Sequence, residues 1–254
     1  MKNNRLISDA SSIGKNTEIG AFSIIEENVT IGDNCTIANN VLIKKNTVIG
    51  NNCEIHTGAI IGDDPQDIKF SKSIKSKVKI GNNNIIREYC TIHRSTEENS
   101  ITMIGDNCYL MAYVHIAHDC NIGNNVILAN AVQAAGFVAI HDNAVVGGLT
   151  PIHQFCKIGK FSFIGGGLRI VQDVPPYILA NGEPLQFSGL NSIGLRRNNF
   201  SSRSINEIKK AYKLIYKSEF NISQSVRKIK SEFETSGEID DIINFIENSK
   251  RGLI

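Results

Sequence analysis

Two histidines and an aspartate lie close together in the stretch AYVHIAHDC, residues 112–120, at His115, His118 and Asp119. A neutral imidazole accepts a proton near neutral pH, so it suits the role of general base toward an attacking hydroxyl group. An adjacent carboxylate can orient such a ring and stabilise its charged form. We therefore predict that His118 is a general base and Asp119 its partner. An aspartate that only bonds the backbone of its own turn is the alternative.

A six-residue repeat must position these side chains. Isoleucine occupies ten successive positions spaced six residues apart, from Ile7 to Ile61. The spacing resumes at Ile80 and continues with aliphatic residues to Ile170, with interruptions near 62–79 and 93–103. A period of six fits neither a helix nor a simple alternating strand. It fits a parallel β-helix, a β-solenoid whose 18-residue coil has three short strands, each pointing one aliphatic anchor inward.

The cysteines follow the same register. Alternation along a strand also turns inward the position four residues after each anchor, next to the following anchor. All six cysteines fall there, and the chain contains no CxxC pair. We predict that they are small buried core residues rather than metal ligands or disulfides. They are Cys35, Cys53, Cys90, Cys108, Cys120 and Cys156.

The coil length also predicts the surroundings of His118. Counted from the inward Ile116, His118 falls at a corner where one strand turns into the next. Residue 136 lies one coil further on, about 4.8 Å away by strand spacing, and it is a glycine. An accessible N–H at Gly136 is a candidate oxyanion donor. Most of the other histidines directly follow an anchor and are predicted to face outward.

Composition and charge exclude some classes of protein. The 27 Lys and Arg residues nearly balance the 25 Asp and Glu residues, so the net charge of +2 gives no global case for nucleic-acid binding. No stretch approaches the ~18 apolar residues of a membrane span, and the N-terminus lacks the apolar segment of a signal peptide. We expect a soluble, cytoplasmic protein.

The repeat ends after Ile170, where two prolines follow in VQDVPPY. From about Ser201 the apolar residues take helical spacing, as at Ile205, Ile208 and Tyr212, with Ser201 or Ser202 as the N-cap. We predict a β-helix over residues 1–190, with loop insertions at about 62–79 and 93–103, and a small α-helical domain over residues 191–254.

Irregular segments carry a resemblance to a known family. They are PQDIKF (65–70), REYCTIHR (87–94), HIAHDC (115–120), HQFCKIG (153–159), QDVPPY (172–177), GLRR (194–197) and AYKLIY (211–216). In this order, the chain closely resembles the UDP-N-acetylglucosamine acyltransferases that start lipid A synthesis, over essentially its whole length. The resemblance implies a left-handed β-helix, a homotrimer with sites between subunits, and transfer of a 3-hydroxyacyl group from acyl carrier protein to the sugar 3-position. The acyl chain would arrive on the phosphopantetheine of the carrier protein, with no metal and no other cofactor.

The resemblance also implies roles for individual residues. Asp67 and Lys69 match positions that contact the sugar and the acyl donor, and His115 matches a position that helps to hold substrate. The position of Gly136 is the oxyanion donor of the family. Arginine suits a diphosphate because its planar fork bonds two oxygens at once. Nucleotide and phosphate contacts are matched by Gln154, Asn191 and Arg197.

The chain departs from the family pattern at four positions. Phe137 stands where the family commonly has histidine, Ile193 replaces an acidic residue, and Asn198 replaces an often basic one. An acceptor with a 3-amino group, which would give an amide, therefore stays open. Arg169 shares a column with His115, three coils and about 14 Å along the axis, and we predict that it shortens or reshapes the acyl-chain groove.

Three further alternatives remain at this point. A related hexapeptide transferase might use another nucleotide sugar or acetyl-coenzyme A on the same scaffold. A zinc hydratase of the γ-carbonic-anhydrase type needs three histidine ligands, and the HxxH spacing of His115 and His118 does not match its wider pair. A non-catalytic scaffold would only bind a nucleotide or a partner.

Overall fold

A computed structural model describes residues 4–254, which form 26 short strands followed by four helices. Residues 1–3, which open the predicted β-helix domain, lie outside the described residues. The strands are β1 (Leu6–Ile7), β2 (Ser12–Ile13), β3 (Glu18–Ile19), β4 (Ile24–Ile25), β5 (Thr30–Ile31), β6 (Thr36–Ile37), β7 (Leu42–Ile43), β8 (Thr47–Ile49), β9 (Glu54–Ile55), β10 (Ile60–Asp63), β11 (Lys77–Ile80), β12 (Ile85–Ile86), β13 (Thr91–His93), β14 (Ile101–Ile104), β15 (Tyr109–Leu110), β16 (His115–Ile116), β17 (Asn121–Ile122), β18 (Ile127–Leu128), β19 (Gln133–Ala134), β20 (Ala139–Ile140), β21 (Val145–Val146), β22 (Pro151–Ile152), β23 (Lys157–Ile158), β24 (Phe163–Ile164), β25 (Ile178–Asn181) and β26 (Gln186–Leu190). The helices are α1 (Ser192–Arg197), α2 (Ser202–Lys217), α3 (Ile222–Glu232) and α4 (Gly237–Glu247).

Every third strand pairs in parallel, so the chain winds around three sheets. The first sheet runs from β1 through β4 to β22, the second from β2 through β5 to β23, and the third from β3 through β6 to β24. Uninterrupted coils pair residues 18 apart, as between His115 and Gln133. The third sheet continues into β25 and then β26, which pairs antiparallel and ends the stack. The predicted parallel β-helix is confirmed.

The core is a stack of aliphatic anchors inside the three sheets. From Ile19 onward these anchors are buried, and all six cysteines are free and buried between them, as predicted. Ile7 and Ile13 are only partly buried because no coil lies beneath the first one. Burial of one aliphatic side chain contributes about 1.5–3 kcal/mol, so the stabilisation grows coil by coil.

The corners between strands need residues that tolerate a left-handed backbone. Asn34, Asn52 and Asn125 have φ values of 56°, 56° and 55°, and asparagine adopts this region more easily than other side chains with a Cβ. Side-chain oxygens beside these corners accept backbone N–H groups from the preceding coil. The N–H of Lys15, for example, donates to Asp33 Oδ1 at 2.7 Å. The corner polar residues therefore satisfy backbone groups that the short strands leave unpaired.

Both interruptions are extra residues at one corner. The second sheet pairs Ile49 with Ile80, 31 residues on instead of 18, so the first insertion adds 13 residues between β10 and β11. It pairs Ile80 with Ile104, 24 residues on, so the second insertion adds six between β13 and β14. Each connects the first sheet to the second. His118 lies at the same corner, between β16 and β17.

The four helices pack at the C-terminal end of the β-helix. Ser201 caps α2 by accepting the Ser204 N–H, in agreement with the sequence prediction. Tyr212, which is fully buried on the inner face of α2, donates from its hydroxyl to the Pro176 carbonyl at 2.6 Å. The Tyr177 hydroxyl donates to Asp241 of α4, also at 2.6 Å. Among residues 4–254, no helix has the length and apolar character needed to cross a membrane.

We predict that the corner asparagines are selected by backbone conformation. Asn125 is exposed with a φ of 55°, so Asn125→Gly should be tolerated and Asn125→Val should lower the free energy of unfolding by about 1–2 kcal/mol. Chemical denaturation measures this. The matched control is Asn121→Val, an exposed strand position where a β-branched residue is favoured. Equal stabilities of the two valine variants would contradict the prediction.

Candidate active site

His118 and Asp119 form a hydrogen-bonded pair at the corner after β16. The His118 Nδ1 atom lies 2.9 Å from Asp119 Oδ2, and both side chains are largely buried. Asp119 takes the left-handed corner conformation, with a φ of 60°, and its N–H donates to Thr102 Oγ1 at 2.9 Å. The aspartate is therefore held on both its backbone and its carboxylate, and its carboxylate faces the imidazole.

Thr96 holds the same carboxylate oxygen from the second insertion. Its backbone N–H and its hydroxyl donate to Asp119 Oδ2 at 3.1 and 2.6 Å. Burial acts to raise the pKa of Asp119, but the hydrogen bonds from Thr96 and His118 outweigh it and lower the pKa. An ionised carboxylate only accepts hydrogen bonds, so the network assigns the proton to His118 Nδ1 and leaves Nε2 as an acceptor.

Gly136 lies one coil beyond His118, as predicted, and lets the imidazole approach its backbone. A Cβ at position 136 would overlap His118 Cε1 and lie 2.7 Å from Nε2. The carbonyl of Gly136 accepts the Phe155 N–H at 3.2 Å. Its own N–H donates no hydrogen bond within the part of the chain that the structure describes. An unpaired N–H beside an imidazole acceptor is an arrangement suited to binding a developing oxyanion.

A cleft of about 430 Å³ lies along this corner. Its walls include Gln66, His115, His118, Gln133, Gly136 and Gln154. Three of these residues, His118, Gly136 and Gln154, occupy one column of successive coils. The cleft therefore runs along the axis of the β-helix, with the imidazole at one end.

His115 points outward from β16 and lies deeper than the sequence suggests. Its Nδ1 is 2.7 Å from Thr91 Oγ1, and its ring meets His93 edge to face with 4.9 Å between centroids. Burial, with smaller effects from His93 and His118, lowers the pKa of His115 to about 4. His115 is therefore neutral at neutral pH and is suited to hydrogen bonding with substrate.

His93 is an exception to the prediction that histidines after an anchor face outward. It is only 6% exposed, and its Nδ1 has no hydrogen-bond partner among residues 4–254. The cause is a register shift between β10 and β13, which pairs Asp63 with His93 where the first insertion begins. Burial lowers the pKa of His93, so this ring is neutral as well.

The first insertion places Gln66 rather than its neighbours in the cleft wall. Asp67 and Lys69 are exposed, and Asp67 Oδ1 accepts the Lys69 N–H at 2.9 Å in a local turn. Gln154 lines the cleft as predicted. Sequence reasoning missed Gln66 and Thr96, although both lie in the two interruptions of the repeat, which were the available signal.

The remaining predicted residues lie away from the cleft of this chain. Asn191 caps α1, accepting the Gly194 N–H at 3.1 Å and donating to the Phe161 carbonyl at 2.9 Å. Arg197 is exposed in the last turn of α1. Arg169 is exposed next to Ile170, which bridges to Ile152, so it does lie in the predicted column beyond Pro151. A single chain does not bring these three side chains to the imidazole.

Aromatic rings cover the side of His118 where the sequence departs from the family. The Phe137 ring meets His118 edge to face with 5.4 Å between centroids, and Phe155 stacks on Phe137 at 5.0 Å. Ile193 and Asn198 are exposed on and beside α1. No group of three or more His, Cys, Asp or Glu side chains in residues 4–254 is arranged to hold a metal ion.

Comparison with known proteins gives consistent matches over the whole chain. The family model described as "Udp N-acetylglucosamine O-acyltransferase; Domain 2" matches residues 173–254, and the bacterial transferase hexapeptide model matches residues 10–45 and 101–133. An acyl-(acyl carrier protein)–UDP-N-acetylglucosamine O-acyltransferase of Burkholderia orbicola is 41% identical over 201 residues, which cover 77% of this chain and 76% of that protein.

Solved structures agree with these matches. The UDP-N-acetylglucosamine acyltransferase of Bacteroides fragilis is 43% identical and superposes with a TM-score of 0.96, covering 100% of this chain and 99% of that one. The enzyme of Campylobacter jejuni is 36% identical with a TM-score of 0.91, covering 98% and 97%. These superpositions confirm the left-handed β-helix with a C-terminal α-helical region.

The hexapeptide-repeat β-helix and the matched models define an acyltransferase of the hexapeptide class. Within that class, the chain belongs to the acyl-(acyl carrier protein)–UDP-N-acetylglucosamine O-acyltransferase family.

We predict that Gly136→Ala abolishes most acyl transfer without unfolding the protein. The backbone at Gly136 is not left-handed, but the added Cβ must displace the His118 ring. We expect acyl transfer to fall by about 10²-fold, because both the base and the oxyanion donor move. Thermal denaturation should show little change. The control is Gly237→Ala, whose Cβ meets nothing within 4 Å; an active Gly136→Ala enzyme would contradict the assignment.

Proposed function

We propose that the protein transfers a 3-hydroxyacyl chain from acyl carrier protein to the 3-hydroxyl of UDP-N-acetylglucosamine, the first step of lipid A biosynthesis. The names of its relatives support the substrates. The observation that carries the chemistry is the His118 imidazole, bonded through Nδ1 to Asp119 and open at Nε2 beside Gly136. The reaction needs no metal and no cofactor beyond the phosphopantetheine of the carrier protein, and it takes place in the cytoplasm.

The mechanism is direct attack on the thioester. His118 Nε2 takes the proton of the sugar 3-hydroxyl while its oxygen bonds to the thioester carbon, and the carbonyl electrons move onto oxygen. The Gly136 N–H donates to that oxyanion. Collapse restores the carbonyl, breaks the carbon–sulfur bond and expels the thiolate, which recovers the proton from His118. The products are the sugar ester and the free thiol of the carrier protein. General base catalysis and oxyanion stabilisation each contribute about 10²–10⁴-fold and 10²–10³-fold in rate.

Asp119 holds the base in the reactive tautomer and stabilises its charge after proton transfer. Thr96 keeps the carboxylate ionised and in place, because it donates twice to the same oxygen. His115 and Gln154 face the cleft as neutral hydrogen-bonding groups for the sugar and the nucleotide. Asp67 and Lys69 are at the rim of the cleft, next to Gln66, where they contact the sugar and the acyl donor.

Arg197 and Asn191 serve the cleft of a neighbouring subunit in this proposal. Both lie outside the cleft of their own chain, and the predicted enzyme is a homotrimer with sites between subunits. Arg197 has no ion pair within the described residues, so its guanidinium is available to a diphosphate. Asn191 keeps its structural role as a helix cap while it faces the nucleotide.

A second acceptor is favoured by one observation, the Phe137 ring against His118. A phenyl group offers no hydrogen bond to the sugar where the family commonly has an imidazole. The same base can accept a proton from an attacking amine, in which case the product is an amide. An assay with UDP-N-acetylglucosamine and its 3-amino analogue in parallel separates the two acceptors.

We predict that His118→Ala loses turnover and keeps substrate. The turnover number should fall by about 10²–10⁴-fold because the base is absent, while calorimetric affinity for UDP-N-acetylglucosamine changes little. Wild-type turnover should rise with pH, since a general base must be neutral. His115→Gln should keep this rise, because His115, with its pKa of about 4, is already neutral. A His118→Ala enzyme with normal turnover would reduce the protein to another mechanism or to a binding scaffold.

We also predict that Arg169 limits the acyl chain. The side chain lies about 14 Å along the axis from the reaction centre, in the column of His115 and Pro151. The wild-type enzyme should prefer shorter carrier-bound chains, and Arg169→Gly should shift the preference toward longer ones. Turnover on chains of graded length measures this. A wild-type preference for about fourteen carbons or more would rule out this role for Arg169.

A further inference from the structure

Arg94 is a buried cation in the second insertion that the reaction does not use. Its side chain is only 3% exposed. Both Nε and Nη2 donate to Asp64 Oδ1, at 3.0 and 2.9 Å. Nη1 donates to the Ile74 carbonyl at 2.5 Å and to the Ser76 hydroxyl at 3.2 Å. The guanidinium carbon also lies 4.7 Å above the centre of the Phe70 ring.

These partners all belong to the first insertion, at its beginning, its middle and its end. The segment 64–76 contains no strand or helix, and its internal backbone hydrogen bonds are the short turns at Phe70 and Ile74. The planar fork of an arginine can bond several acceptors at once, which an ammonium group cannot do. One guanidinium therefore holds together a loop that has little structure of its own.

The backbone of the second insertion adds to this support. Arg94 N–H donates to the Asp63 carbonyl at 3.0 Å, and Asn99 N–H donates to the Lys75 carbonyl at 2.9 Å. The next residues of the same segment hold the catalytic pair, since Thr96 donates twice to Asp119. The segment 94–96 thus carries two separate supports, one for the loop and one for the carboxylate.

We propose that Arg94 is a positioning residue that fixes the 64–76 loop against the β-helix and so holds Gln66, and with it Asp67 and Lys69, at the acceptor end of the cleft. This inference rests on the proposed function for its substrate, UDP-N-acetylglucosamine. Arg94 acts on binding and not on proton transfer, because its contacts go to the loop while the His118–Asp119 pair is held by Thr96 and Thr102.

Limited proteolysis tests the loop directly, without any assay of activity. Lys69, Lys72 and Lys75 are exposed trypsin sites within it. Cleavage there should accelerate by about tenfold in Arg94→Met, because loss of the clamp increases local opening. Arg94→Lys should give a smaller increase, since a lysine retains only part of the contacts. The matched control is Arg203→Met, an exposed arginine that pairs with Glu207 and Glu234 on the helices.

The second readout separates binding from chemistry. For Arg94→Met we expect the KM for UDP-N-acetylglucosamine to rise by about tenfold, with kcat changed by less than about threefold, because the base and oxyanion donor keep their positions. Asp64→Asn approaches the same clamp from the loop side and keeps a partly solvated group, so it tests the inference if Arg94→Met does not fold. It should accelerate cleavage in the same direction.

Unchanged cleavage of the loop in both Arg94→Met and Asp64→Asn would overturn the inference. So would a loss of kcat with an unchanged KM. Failure of the wild-type enzyme to acylate any UDP-sugar would instead overturn the proposed function, and the proteolysis comparison would still decide whether Arg94 holds the loop.

Discussion

The rest of the structure depends on the parallel register of 18-residue coils. Because each strand pairs with the strand one coil later, every residue lies beside the residue 18 positions on, whatever its side chain. Inward columns must then be aliphatic, and corner columns must accept a left-handed backbone. The same rule brings His118 and Gly136 together without any long-range search by the chain. A scaffold with this property can place a base and an N–H donor side by side through the choice of only two residues.

The active corner is made by departures from that register. Without insertions, the corner between the first and second sheets would be a smooth column, as it is near Asn28 and Asn46. The 13 added residues bring Gln66 to the cleft, and the six added residues bring Thr96 to Asp119. Both insertions lie in the coils just before His118. A uniform solenoid supplies rigidity, while the extra loops supply the polar contacts that a two-residue strand cannot hold.

Much of this architecture is readable in the sequence because the signal is periodic. The isoleucine spacing predicts the coil, the cysteine register predicts burial, and the coil length predicts the contact of His118 with Gly136. The insertions have no period, so the clamp around Arg94 and the hydrogen bonds of Thr96 depend on tertiary contacts that spacing does not encode. The same limit explains His93, whose burial follows from a register shift at Asp63. Asn191 shows the opposite case, since its capping of α1 is a local bond that the resemblance alone did not indicate.

Three imidazoles lie close together here, and their surroundings give them different chemistry. His93 has a buried Nδ1 without a partner, and burial lowers its pKa, so it is a poor proton acceptor. His115 has Thr91 on Nδ1 and no carboxylate, and its pKa of about 4 leaves it little basicity. Only His118 has an ionised carboxylate on one nitrogen, which stabilises the ring after it gains a proton, and a second nitrogen facing Gly136. The two neutral rings beside it add no competing positive charge, so the proton that leaves the acceptor has one imidazole to go to.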